Sequence, residues 1–217
     1  MKVFVVLLVF AAFYQASAMR IWNWFSSDDI EDVISPTAEV TGECRRLAGW
    51  GQCAFYDCLE DRFTCGDDGY TLKISKHFCS KIDRNFGTFD DIGQLWLNRT
   101  SICLLSYMLP IYEQDSTTCS AIKDAGITAI LNCNAEVVDG TDFCGFVQTN
   151  GDAYSALMGR DEILLMAQLG NPRVIGSMVS QAVHCGVSSM MDTVASLGES
   201  ISNLAGSVVS NIRGWFS

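Results

Sequence analysis

Histidine is nearly absent from this 217-residue chain: His77 and His184 are the only two. A Ser-His-Asp hydrolase would need one of them as its base. No G-x-S-x-G elbow, H-E-x-x-H pair or Gly-rich phosphate loop accompanies them. His77 lies two residues before Cys79 and His184 one before Cys185, so zinc at either place would need free thiolates. Basic residues are also scarce. The chain has 14 Lys and Arg against 25 Asp and Glu, a net charge of −11. An acidic surface releases no counterions from nucleic acid and is repelled by anionic membranes, so neither is an expected partner. Long apolar runs are missing too: after the first eighteen residues none approaches the roughly 20 needed to span a bilayer. Two-residue alternation, the mark of strands, is rare. Asp67-Asp68-Gly69 and Asp90-Asp91 lack the spacing of a calcium loop and read instead as helix caps. No catalytic residue, cofactor site or metal site is assigned.

What the chain does have is cysteine. Ten are present: Cys44, Cys53, Cys58, Cys65, Cys79, Cys103, Cys119, Cys133, Cys144 and Cys185. They follow a start in which Lys2 precedes the apolar run Val3 to Tyr14 and Ala16-Ser17-Ala18 forms an A-x-A cleavage site. Residues 1–18 thus read as a secretory signal peptide, which places the chain outside the cell. An even number of thiols in an oxidising compartment reads as a closed set of disulfides. Five bridges can be drawn among ten cysteines in roughly nine hundred ways, and spacing does not choose between them.

Residues 19–43 hold Trp22, Trp24 and Phe25, then an acidic stretch from Ser26 to Asp32, with little periodicity. They read as a flexible leader. Residues 44–185 are dense in helical signals, and the fold class is all-α, stapled by disulfides. Asp67 or Asp68 suits the cap of a helix from about Tyr70, with Leu72, Ser75, Cys79, Ile82 and Phe86 on one face. Asp90-Asp91 opens another, with Ile92, Leu95, Trp96, Ile102, Cys103 and Leu105 inward, bent or ended by Pro110. Ser116-Thr117-Thr118 opens a third that runs to Cys133, weakened by Gly126 and Thr128. Asp161-Glu162 precedes a further apolar segment, and Gly170-Asn171-Pro172 supplies a stop and a restart.

Residues 186–217 read as an amphipathic C-terminal helix. Apolar side chains recur every three or four positions from Val187 to Trp215. Three uses fit this stripe: packing back on the domain, pairing with a second copy, or lying on a membrane surface. A pairing seam would comprise Val194, Leu197, Ile201 and Leu204. Asn98-Arg99-Thr100 is the one N-x-S/T sequon, and glycosylation there needs Asn98 exposed.

The run Gly42-Glu43-Cys44, Gly51-Gln52-Cys53-Ala54-Phe55-Tyr56-Asp57-Cys58-Leu59-Glu60, Thr64-Cys65 and Asp67-Asp68-Gly69 resembles the stanniocalcin family. So do Phe78-Cys79, Phe89-Asp90, Gly93 and the series Cys103, Cys119, Cys133 and Cys144. The resemblance is strongest in its first thirty residues, with Cys58-Leu59-Glu60 in its cysteine frame the most specific part, and extends to about Cys185. It implies five bridges: Cys44–Cys58, Cys53–Cys79, Cys65–Cys119, Cys103–Cys133 and Cys144–Cys185. It also implies a secreted glycoprotein hormone of calcium and phosphate balance, acting through an extracellular protein or cell-surface receptor. Inhibition of an extracellular metalloprotease, also found in that family, is the alternative. A structural or lipid-facing role for the tail is a third. The chain departs from the vertebrate pattern by insertions around Tyr70 to Lys76 and Ala135 to Thr141, which suggest a distant, invertebrate member, and in that no cysteine follows Cys185. That removes the family's interchain bridge and leaves open a non-covalent homodimer through the tail seam.

Overall fold

Thr41 caps the first helix. Its hydroxyl accepts the Cys44 N–H at 3.1 Å, and helix α1 runs over Gly42–Gly49. The chain then turns through Gly51 at φ 69°, in the left-handed region. A side chain there would also meet the backbone of Ile102 at 2.9 Å. Helix α2 spans Phe55–Arg62, and a π-helical segment, Thr71–Lys76, runs directly into α3, His77–Asn85. A 3-10 turn at Phe86–Thr88 leads to the longest element, α4, Asp91–Tyr112. Helices α5, Cys119–Cys133, and α6, Phe143–Leu157, follow.

The computed structural model describes residues 32–133 and 140–157, together with 161, 162, 165 and 185. The chain's first eighteen residues, His184, and the tail with its seam of Val194, Leu197, Ile201 and Leu204 lie outside these. Six α-helices and no strand occur among the described residues. One isolated antiparallel bridge joins Ile34 to Thr117. The fold is all-α.

Helix α4 is the spine, and each of its halves serves a separate core. Leu105, Met108 and Tyr112 pack with Phe55, Leu59, Phe63, Tyr70, Ile74 and Ile122. Trp96 and Leu97 pack with Phe89, Phe143, Phe146, Val147 and Leu157. The second core is aromatic, with Trp96 stacked on Phe146 at 4.4 Å between ring centroids. Burial of each such side chain favours folding by roughly 1.5–3 kcal/mol. Ile92 does not face inward as its position suggested; it is half exposed, and Gly93 takes the inward position against α6. Pro110 does not stop the helix at once. It lies in the last turn, which closes two residues later at Tyr112.

Five disulfides staple these helices. Cys44–Cys58 joins α1 to α2, and Cys53–Cys79 joins the turn before α2 to α3. Cys65–Cys119 ties the loop after α2 to the start of α5. Cys103–Cys133 links α4 to the end of α5, and Cys144–Cys185 anchors the start of α6. No cysteine is left free. The pairs are those that the stanniocalcin resemblance implies.

The second half of the expected leader is not free. Residues 32–41 cross the domain as a strap, and α1 begins at Gly42 rather than after residue 43. Ile34 and Thr117 exchange two backbone hydrogen bonds, of 2.7 and 3.1 Å. The Thr37 N–H donates to the Arg62 carbonyl at 2.9 Å. Buried Arg62 donates from its guanidinium to the carbonyl of Ala38 and, at 2.8 Å, to that of Gln114. The Tyr112 hydroxyl accepts from Thr41 and donates to the Glu39 carbonyl. Glu60, also buried, accepts the N–H groups of Cys65 and Gly66.

Candidate interaction site

Asn98 lies on the exposed side of α4, whereas Thr100 of the same sequon is buried at 9% exposure. The asparagine therefore meets the steric condition for carrying a sugar. One helical turn further, Ile102 lies against Gly51. Trp50, the residue before that glycine, is 60% exposed. The Arg46 guanidinium sits over its ring, 5.3 Å from the centroid. A shallow hollow follows on α4, lined by Arg99, Ile102, Cys103, Ser106 and Tyr107. The Tyr107 hydroxyl accepts from the Asn132 side-chain amide at 3.2 Å, which links the hollow to α5.

Trp, Tyr and Arg are the residue types that most often dominate protein–protein binding. Here they are displayed by elements that Cys44–Cys58 and Cys103–Cys133 fix. The sequence reading did not select Trp50. Its signal was present in Gly49-Trp50-Gly51: a large aromatic between two helix-breaking residues has no helix face to bury it.

The remaining polar candidates have structural partners. Asp90 caps α4, accepting the Gly93 N–H at 2.7 Å. The Asn150 amide and the Gly93 N–H hold its carboxyl below the usual carboxylate range. Asp68 pairs with Lys73 at 2.9 Å on the surface, and the hydrogen bond and charge of that lysine lower its carboxyl as well. His77 faces Glu162 at 3.6 Å, and Lys81, one turn along α3, pairs with the same carboxylate. Burial pushes Glu162 up, but Lys81 and His77 outweigh it and leave its carboxyl lowered. Among the described residues no group of three or more His, Cys, Asp or Glu side chains is placed to hold a metal ion. No helix among them is long and apolar enough to cross a membrane.

Comparison with protein-family models, with curated proteins and with solved structures finds no match for this chain.

Proposed function

We propose that the chain is a secreted, disulfide-fixed signalling glycoprotein similar to the stanniocalcins, working by binding another protein rather than by catalysis. The observation that carries this reading is the bridge pattern. All five pairs follow the order that the resemblance in Cys44 to Cys65 implies for the whole domain. The signal-peptide pattern and the cysteine content support export. The exposed Trp50 and Tyr107, with Arg46 and Arg99 beside them, are the binding face we assign. By resemblance, the output is control of calcium and phosphate balance.

The test uses the purified, oxidised, secreted chain. Labelled protein should bind saturably to intact epithelial cells and change their calcium or phosphate uptake. Trp50→Ser with Tyr107→Ser should weaken both effects while leaving the five bridges intact. Absence of saturable binding and of any change in uptake would refute the hormone-like reading. Inhibition of a secreted metalloprotease without cell binding would favour the inhibitor role.

A further inference from the structure

The π-helical segment Thr71–Lys76 borders a feature that the proposed function does not use. Between it, α3, α4 and α5 the packing leaves a cavity of about 90 Å³. We propose that this cavity binds a small, uncharged ring compound that is mainly apolar and carries one hydroxyl group.

Three observations converge on the cavity. Protein interiors are close-packed, and voids larger than a water molecule are few. This one has room for roughly six waters, and an apolar cavity of the same order admits benzene. Second, π-helical turns are rare and are frequent at functional sites. Here the turn carries Ile74 and Ser75, and both line the space. Gly51 and Gly126 line it as well, at places where a side chain would collide with neighbours.

The third observation is the chemistry of the walls. Most of the lining is apolar, with Ile74, Leu105 and Met108 deeply buried, and no charged side chain contributes. The polar side chains of the wall all bear hydroxyls: Tyr56, Tyr70, Ser75 and Ser101. A buried water needs two to four polar partners. A few hydroxyls in an otherwise apolar wall can satisfy a single ligand hydroxyl and leave the rest of the space to apolar atoms. Both phenols are neutral at physiological pH, and burial pushes Tyr70 further up, to about 12. They therefore present neutral donors and acceptors, which suit an uncharged ligand. Phe78, Ile82 and Leu104 are only half-buried and form the side nearest solvent.

The proposal does not rest on the hormone-like reading. It can be tested with two fluorinated probes, 4-fluorophenol and 4-fluorotoluene, titrated into the full oxidised chain and followed by fluorine NMR. Both should bind at one saturable site, with the phenol about tenfold tighter, the worth of one net hydrogen bond. Ser75→Ala with Tyr70→Phe should abolish that preference and leave the toluene affinity within about twofold. Leu104→Phe should fill the space and remove binding of both probes. Circular dichroism will show whether that variant still folds, and Ile130→Phe fills the cavity from α5 if it does not. Failure of both probes to saturate the wild-type chain would overturn the proposal. So would undiminished binding to a folded, filled variant.

Discussion

Asp90 and Asn150, 60 residues apart, hold each other by two hydrogen bonds of 2.9 Å. The Asn150 carbonyl oxygen accepts the Asp90 N–H, and its amide donates back to the Asp90 carboxylate. Gly93 makes this approach possible, since a Cβ there would lie 2.6 Å from the Asn150 side chain. The pair joins the start of α4 to the kink of α6, where Asn150 leaves the helical region at φ −117°.

Asn150→Ala should cost about 1–3 kcal/mol, because it strips partners from buried or cap-forming groups. Urea unfolding of the oxidised chain would measure this. The loss should exceed that of Asp152→Ala, which changes an exposed position on the same helix.

The same carboxylate predicts an acid limb of stability. Asp90 and Glu162 have folded-state values below their ordinary 3.8 and 4.5. Their charged forms are thus favoured by folding. That contribution is complete above the ordinary values and is lost as pH falls through the lowered ones. Melting temperature should therefore drop below about pH 4. Asp90→Asn with Glu162→Gln should flatten the drop. An equally steep limb in the double variant would place the acid sensitivity elsewhere.

Gly126→Ala is expected to destabilise the domain although alanine favours helices. A Cβ at 126 would lie 2.1 Å from the Tyr70 ring, so the ring must move. Overpacking of this kind costs about 1–3 kcal/mol. Thermal melting would detect it, and Tyr70→Leu in the same chain should recover part of the loss.

Cys103→Ser removes the bridge between α4 and α5 and leaves Cys133, which is fully buried, without its partner. The expected loss is about 2–4 kcal/mol, with lower secreted yield and one reactive thiol per chain. Unchanged yield and melting would show that the bridge is dispensable.

Glycosidase treatment of the secreted protein should lower its mass, and Asn98→Gln should abolish the shift. Mass spectrometry of the intact chain reads both. A wild-type mass equal to that of the bare polypeptide would show that the exposed sequon is not used.

The helical class and the starts of α4 and α5 were legible because local chemistry fixes them, whereas Asp68 pairs with Lys73 and no side chain caps the segment that follows it. Asp90 caps α4, and the Thr118 hydroxyl accepts the Ala121 N–H at the start of α5, as their side chains suggest. Thr128, unfavourable in a helix interior, is accommodated by donating to the Asp124 carbonyl at 2.8 Å. Helix α6 was not legible. Asn and Gly at 150 and 151 disfavour a helix interior, and only the distant Asp90 gives Asn150 a partner there. The strap was hidden for a similar reason: its bonds are to backbone carbonyls and to Arg62, which leave no periodic pattern. The π-turn has no sequence mark at all. Of the interaction face, Asn98 was readable from its sequon and Trp50 had a signal in its flanking glycines, while Tyr107 depends on which side of α4 is left uncovered.

The bridges also set a schedule. Cys44 meets its partner 14 residues later, but Cys65 precedes Cys119 by 54. At about 5–20 residues per second, synthesis leaves the Cys65 thiol waiting roughly 3–11 s. During that wait Cys79 and Cys103 emerge, and either can capture it. Thr41, whose backbone bonds the Tyr112 hydroxyl, waits longer still, 71 residues. The order of emergence thus leaves Cys65 open to wrong partners before Cys119 appears, so that correct pairing depends on reshuffling as well as on oxidation.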